Sequence, residues 1–220
     1  MNELYIVMIR AHTGLGSVAR RLTGYGYTHI AVCKDRSLTD FVSYSRRYHY
    51  YPFEAGFAHE YRDYYAFGKH DSVGIKVFRL CPDDEHYGRV LSFISSCEND
   101  PEEIFNLFSM MTMPLLHGVR IYKANNCMSF TARVIQLSGC VKMDRDYYSY
   151  SIKDMDELLE RYFYFEGKLR RQKSKGYDEY MKPFGARRYI KGMTTLICKL
   201  ISRIIRGRKV SQHKNDMEFG

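Results

Sequence analysis

Apolar and polar positions along the chain repeat with different periods, and each change of period marks an element. Leu4 to Ile9, within "ELYIVMIR", is a continuous apolar run of the length of a short buried strand. "YTHIAVCKD" and "LTDFVSYSR" are β-rich runs separated by Arg36 and Ser37 alone, a spacing that predicts a hairpin. "SVGIKVFRLC" alternates as a further strand. The period then becomes helical. "PDDEHYGRVLSFISSCE" opens with Pro82 and acidic residues suited to a helix N-terminus, and "PEEIFNLFSMMTM" reads as another helix. "CMSFTARVIQLSG" carries apolar residues at 127, 128, 130, 134, 135 and 137 and stops at Gly139, a natural helix end. Two stretches carry weaker signals. "SVARRLTGYG" is helix-like, and the Tyr-rich "RYHYYPFEAGFAHEYRDYYAFGKHD" reads as an irregular surface or lid segment.

A last periodic stretch lies near the C-terminus. In "MTTLICKLISRIIRG", Met193, Leu196, Ile197, Leu200, Ile201, Ile204 and Ile205 recur at helical spacing, with Lys199, Arg203 and Arg206 on another face. The surrounding charge is lopsided: residues 166–214 hold 15 Lys/Arg against Glu166, Asp178 and Glu179, while residues 1–165 hold 19 Lys/Arg against 20 Asp/Glu. The formal charge of +9 is therefore a property of the tail. We place a boundary near residue 165, with a compact domain over 1–165 and a basic tail over 166–220 whose amphipathic helix covers about 190–206. Such a helix either packs on the domain as its last element or binds an anionic membrane surface through residues 190–209; nucleic acid is the minor reading.

Composition narrows the class. A chain of 220 residues with 45% hydrophobic content can bury one good core. No run approaches the roughly 20 apolar residues of a membrane span, and Arg10 interrupts the N-terminal run before a secretory signal is complete, so a cytoplasmic and, through the tail, peripheral-membrane location is expected. The six cysteines are scattered, with no CxxC and no zinc-like spacing to the eight histidines. They are expected to be reduced thiols, with no metal and no cofactor. "GLGSVAR" lacks the third glycine of a dinucleotide loop and no βαβ unit follows, so Ser17 is expected to serve as a helix N-cap.

Candidate chemistry centres on "YKANNCMSF". Unpaired amides and the local dipole at a helix N-terminus favour a thiolate, more so beside an imidazolium, and Cys127 occupies such a place. His29, inside a strand where packing fixes the ring, is the best partner; His49, His59 and His70 lie in the irregular stretch. Cys33 shares the face of His29, but four residues of strand put it roughly 13 Å away. From spacing alone, a buried thiol and a satisfied strand histidine are the commoner uses of these residues.

The order of the motifs changes that weighting. "TGYGYTHIAV", then "DFVSYSRR", "YPFEAGF", a strand with a helix behind it, and finally "NNCMSFTARVI" resemble the circularly permuted NlpC-type papain-like hydrolases, in which histidine precedes cysteine. The lecithin retinol acyltransferase-like proteins share this permutation, and the resemblance covers roughly residues 3 to 160. It implies an α+β, permuted papain-like fold in which a small antiparallel sheet carrying His29 packs on the helix that begins at Cys127. It further implies a thiol hydrolase or acyltransferase acting on a peptide, amide or lipid ester through a Cys127 acyl-enzyme, with His29 as general base. The orienting third residue normally lies on the next strand, where Ser43 is the first choice and Asp40 the second. The alternative is a catalytically silent binding module on the same fold, anchored to anionic membrane by its tail.

Overall fold

In the computed structural model the chain forms a mixed α+β fold, with residues 2–13, 20–21, 23–109, 112 and 118–218 described, and side chains described as far as residue 206. The expected helix N-cap, Ser17, lies outside the described residues. Strands β1 (Leu4–Ile9), β2 (His29–Cys33), β3 (Phe41–Tyr48) and β4 (Tyr51–Glu60) precede a short helix α1 (Arg62–Tyr65) and strand β5 (Ser72–Leu80). Helix α2 (Asp84–Asn99), short strands β6 (Ile104–Phe105) and β7 (Ala124–Asn125), and helix α3 (Cys127–Leu137) follow. Helix α4 (Ile152–Leu158), strand β8 (Phe163–Arg170), the short helix α5 (Tyr177–Tyr180) and the long helix α6 (Ala186–Glu218) complete the order.

The main sheet has six strands in the order β4-β3-β2-β1-β5-β8, and every neighbouring pair is antiparallel. β1 lies inside it, paired on both sides, and every residue from Leu4 to Ile9 is buried. Its continuous apolar sequence follows from that position, since both faces are covered. Leu4, Ile6 and Met8 join Ile30, Val32, Phe78, Val90, Phe130 and Val134 in the larger core, beneath α2 and α3. Tyr5, Val7 and Ile9 face the other way and pack with Ala31, Cys33, Phe41, Tyr65 and Ile75.

Helix starts follow the local chemistry. The Asp83 side chain accepts from the His86 backbone amide to cap α2. α3 opens with a capping box: Asn126 accepts from the Ser129 amide at 2.8 Å, and Ser129 Oγ accepts from the Asn126 amide at 3.0 Å. Gly139, just past the end of α3, adopts φ +66° against the His86 ring.

Three expectations require correction. The segment read as irregular contains β4, ten residues paired along most of β3. "PEEIFNLFSMMTM" is not one helix: its Ile104 and Phe105 form a parallel ladder with Ala124 and Asn125 before helical backbone begins at residue 107. The expected boundary near 165 falls within β8, which pairs with β5 as the sixth strand. Beyond it, Ser174 donates through both its amide and its hydroxyl to buried Asp63, and Tyr180 is buried against Tyr64.

α6 also packs on the body. Leu196 and Leu200 are buried with Ile104, Ile121 and Ala124. Arg203 donates to the backbone carbonyls of Lys123 and Glu102, and the Tyr51 hydroxyl donates to the Arg188 carbonyl at 2.9 Å. Gly192 permits this approach, because a Cβ there would lie 1.8 Å from the Tyr51 hydroxyl. Within the described residues, no helix is long and apolar enough to cross a membrane.

Candidate active site

The site is assembled from three elements that the chain brings together at one end of the sheet. His29 is the first residue of β2, fixed through its pairing with Ile9 of β1 and through the Thr28 amide, which donates to the Ile9 carbonyl at 3.1 Å. Cys127 is the first residue of α3, behind the Asn126 cap. Cys127 lies near enough to His29 to favour the protonated imidazole. The helix that starts at Cys127 packs on the strand that starts at His29.

The turn that delivers Cys127 is held from several sides. The Ile104 amide donates to the Lys123 carbonyl at 3.1 Å, and the Asn106 amide to the Asn125 carbonyl at 2.8 Å. Lys123 adopts φ +48°, and its ammonium bridges Asp100 and Glu102 at 2.7 Å each. A left-handed lysine is costly, and these contacts over-determine the conformation. Asn126 is buried, so the position of the helix start does not depend on an exposed loop.

The third residue is not the one expected. Ser43 is fully buried and donates to the Ile30 carbonyl at 3.0 Å, while Asp40 bonds His59 Nδ1 at 2.9 Å at the surface. The group that meets the imidazole is Glu60, at the end of β4, whose Oε2 lies 2.8 Å from His29 Nε2. Glu60 is 5% exposed, and the buried Tyr65 hydroxyl donates to the same oxygen at 2.9 Å. With Nε2 taken by the carboxylate, Nδ1 is the ring nitrogen left for the thiol.

The electrostatics follow from this arrangement. Burial alone would push the His29 imidazole toward its neutral form; the Glu60 carboxylate and the hydrogen bonds to Cys127 and Glu60 outweigh it and raise the pKa to about 10. Burial would likewise push Glu60 up, but the charge of His29 and the hydrogen bonds from His29, Ser45 and Tyr65 hold its carboxyl below the ordinary range. At neutral pH the pair is therefore imidazolium and carboxylate. Two buried charges are tolerable only when paired and hydrogen-bonded, and these are both.

Glu60 and Tyr65 escaped the sequence reading because the stretch containing them was read as irregular. One signal was present: an acid that closes the strand beside the hairpin and precedes the Tyr-rich helix α1. Cys33 lies apart from the site, its thiol facing the Asp40 carbonyl at 3.1 Å, and burial pushes its pKa up to about 12. The described cysteines are all free, and no cluster of three or more His, Cys, Asp or Glu among the described residues could hold a metal ion. A nucleophile at a helix start, an imidazole beside it and a buried carboxylate behind the imidazole can together perform acyl transfer. No family model matches the chain, and no curated protein and no solved structure matches it either.

Proposed function

We propose that the protein is a thiol hydrolase or acyltransferase of permuted papain-like type, acting on a peptide, amide or ester carbonyl through a Cys127 acyl-enzyme. The observation that carries this reading is the bond of His29 Nε2 to buried Glu60 at 2.8 Å, on a strand packed against the helix that starts at Cys127. Cys127 Sγ attacks the carbonyl carbon and the carbonyl π electrons move to oxygen. The Cys127 backbone amide, one of the unpaired first-turn donors of α3, is placed to meet that oxyanion.

Collapse of the tetrahedral intermediate breaks the bond to the leaving amine or alcohol, which takes its proton from the His29 imidazolium. A thioester remains on Cys127. The neutral imidazole then accepts a proton from water, or from an acceptor hydroxyl or amine, as that oxygen or nitrogen attacks the thioester. Glu60 stays ionised throughout and orients the ring. Tyr65 in turn holds Glu60.

The test uses a chromogenic acyl ester and mass spectrometry of the intact protein. An acyl adduct on Cys127, absent in Cys127→Ser and His29→Ala, supports the reading. Hydrolysis unaffected by Cys127→Ser overturns it.

A further inference from the structure

α6 has two apolar faces, and the fold uses only one. The inner face, with Leu196 and Leu200, is seated on Ile104, Ile121 and Ala124, and Arg203 anchors the same side to the backbone of Glu102 and Lys123. The outer residues Ile190, Met193, Ile197, Ile201 and Ile205 are 42–63% exposed. At 3.6 residues per turn these five fall on one strip, about 120° wide. Scattered exposed aliphatics are ordinary, but a continuous strip of five along four turns of helix is the signature of an unfilled contact.

The charge around the strip identifies what covers it. From Ala186 to Arg206 the helix carries no aspartate and no glutamate. Lys191, Lys199 and Arg206 are exposed and occupy the face that adjoins the strip on the side away from the body, and exposed Arg187 lies at its N-terminal edge. A second copy of this chain seated on the strip would bring two such rows of cations together. A bilayer with anionic headgroups instead takes the aliphatic side chains into the acyl boundary and meets the cations at the headgroup level.

We infer that the outer face of α6, formed by Ile190, Met193, Ile197, Ile201 and Ile205, bordered by Arg187 and Lys191 and backed by Arg206 and Lys199 farther round the polar face, is a docking surface for an anionic lipid bilayer. The helix does not detach to bind. Its inner face stays on the protein, so the whole body lies against the membrane. The inference is independent of the catalytic reading, and Cys127→Ser should bind as wild type does.

The experiment is flotation of the full chain with vesicles of phosphatidylcholine, alone or with about 30% phosphatidylserine, beside sedimentation velocity without lipid. The wild type should partition onto the anionic vesicles at least about tenfold more than onto the neutral ones, and about 0.5 M salt should remove most of that preference. Ile197→Asp with Ile201→Asp should lower binding about tenfold or more while leaving the melting temperature close to wild type, because both side chains are already exposed. Lys191→Glu with Lys199→Glu should abolish the preference for anionic lipid. Absence of vesicle binding by the wild type overturns the inference, as does binding that the aspartate pair leaves unchanged. A dimer that those aspartates dissociate, in a protein that ignores vesicles, would assign the strip to a second copy and overturn it equally.

Discussion

His29 Nε2 and Glu60 Oε2 stand 2.8 Å apart, joining the first residue of β2 to the last residue of β4 across the intervening β3. The contact leaves the imidazole one ring nitrogen, Nδ1, and a positive charge. Much of what the site does is expected to depend on this one pair.

Alkylation should report the pair directly. Iodoacetamide should modify Cys127 at pH 7 faster than the exposed Cys81 and Cys198, which serve as internal references. His29→Ala should slow the Cys127 reaction by about 10- to 100-fold and leave the reference cysteines unchanged. Peptide mapping of timed samples measures all three rates at once, and equal rates before and after the substitution would count against the imidazole's role.

The three candidates for the orienting residue should separate cleanly. Glu60→Gln should lower acyl transfer by about 100-fold or more, because the carboxylate fixes the ring's tautomer and stabilises the imidazolium, and should destabilise the fold by about 3 kcal/mol as a broken buried pair. Asp40→Asn, at a half-exposed contact with His59, should change stability by less than about 1 kcal/mol. Ser43→Ala should cost about 1 kcal/mol for its hydrogen bond to Ile30 while sparing turnover. Urea melts and steady-state kinetics on the three variants provide the comparison.

Stability should depend on pH through the same pair. The folded pKa of His29, about 10, lies above the unfolded value of about 6.5. Its contribution is therefore complete below about pH 6.5 and is lost as pH rises through about 10. Glu60 is shifted the other way, so its contribution is present above about pH 4.3 and is lost as pH falls through its depressed folded value. The stability gap between wild type and His29→Gln/Glu60→Gln should be widest between these limits and narrow toward pH 10, as read from urea midpoints at each pH.

Gly192→Ala should destabilise the seat of α6 despite the better helix propensity of alanine, a gain of about 1 kcal/mol in an open helix. The added methyl would fall 1.8 Å from the Tyr51 hydroxyl, so either the tyrosine loses its bond to the Arg188 carbonyl or the helix lifts. Limited trypsin digestion should then cut at Lys191 and Lys199 faster than in wild type.

The elements that were legible in the sequence are those with a clean period and a covered face. β1 and α3 are buried along most of their lengths, and their apolar runs say so. β4 was hidden because its burial does not alternate: Tyr51, Gly56 and Glu60 are buried while the residues between are half-covered, and Pro52 and Gly56 read as breakers. β8 was hidden for the opposite reason. It is an edge strand with Leu169 alone buried, so backbone pairing rather than side-chain burial places it in the sheet. The cysteine and the histidine were readable because each sits on a legible element, and the glutamate was not because its strand was not.

The order in which the strands are joined determines when the site can exist. β2, β3 and β4 follow one another as neighbours, so His29, Glu60 and Tyr65 leave the ribosome close together and can meet through turns of local reach. The thiol belongs to a segment made much later, after β5 has returned to the far side of β1 and α2 has been laid down. A nascent chain thus holds the carboxylate and the imidazole long before it holds the thiol, which joins them only after β1 to β5 and α2 have been made.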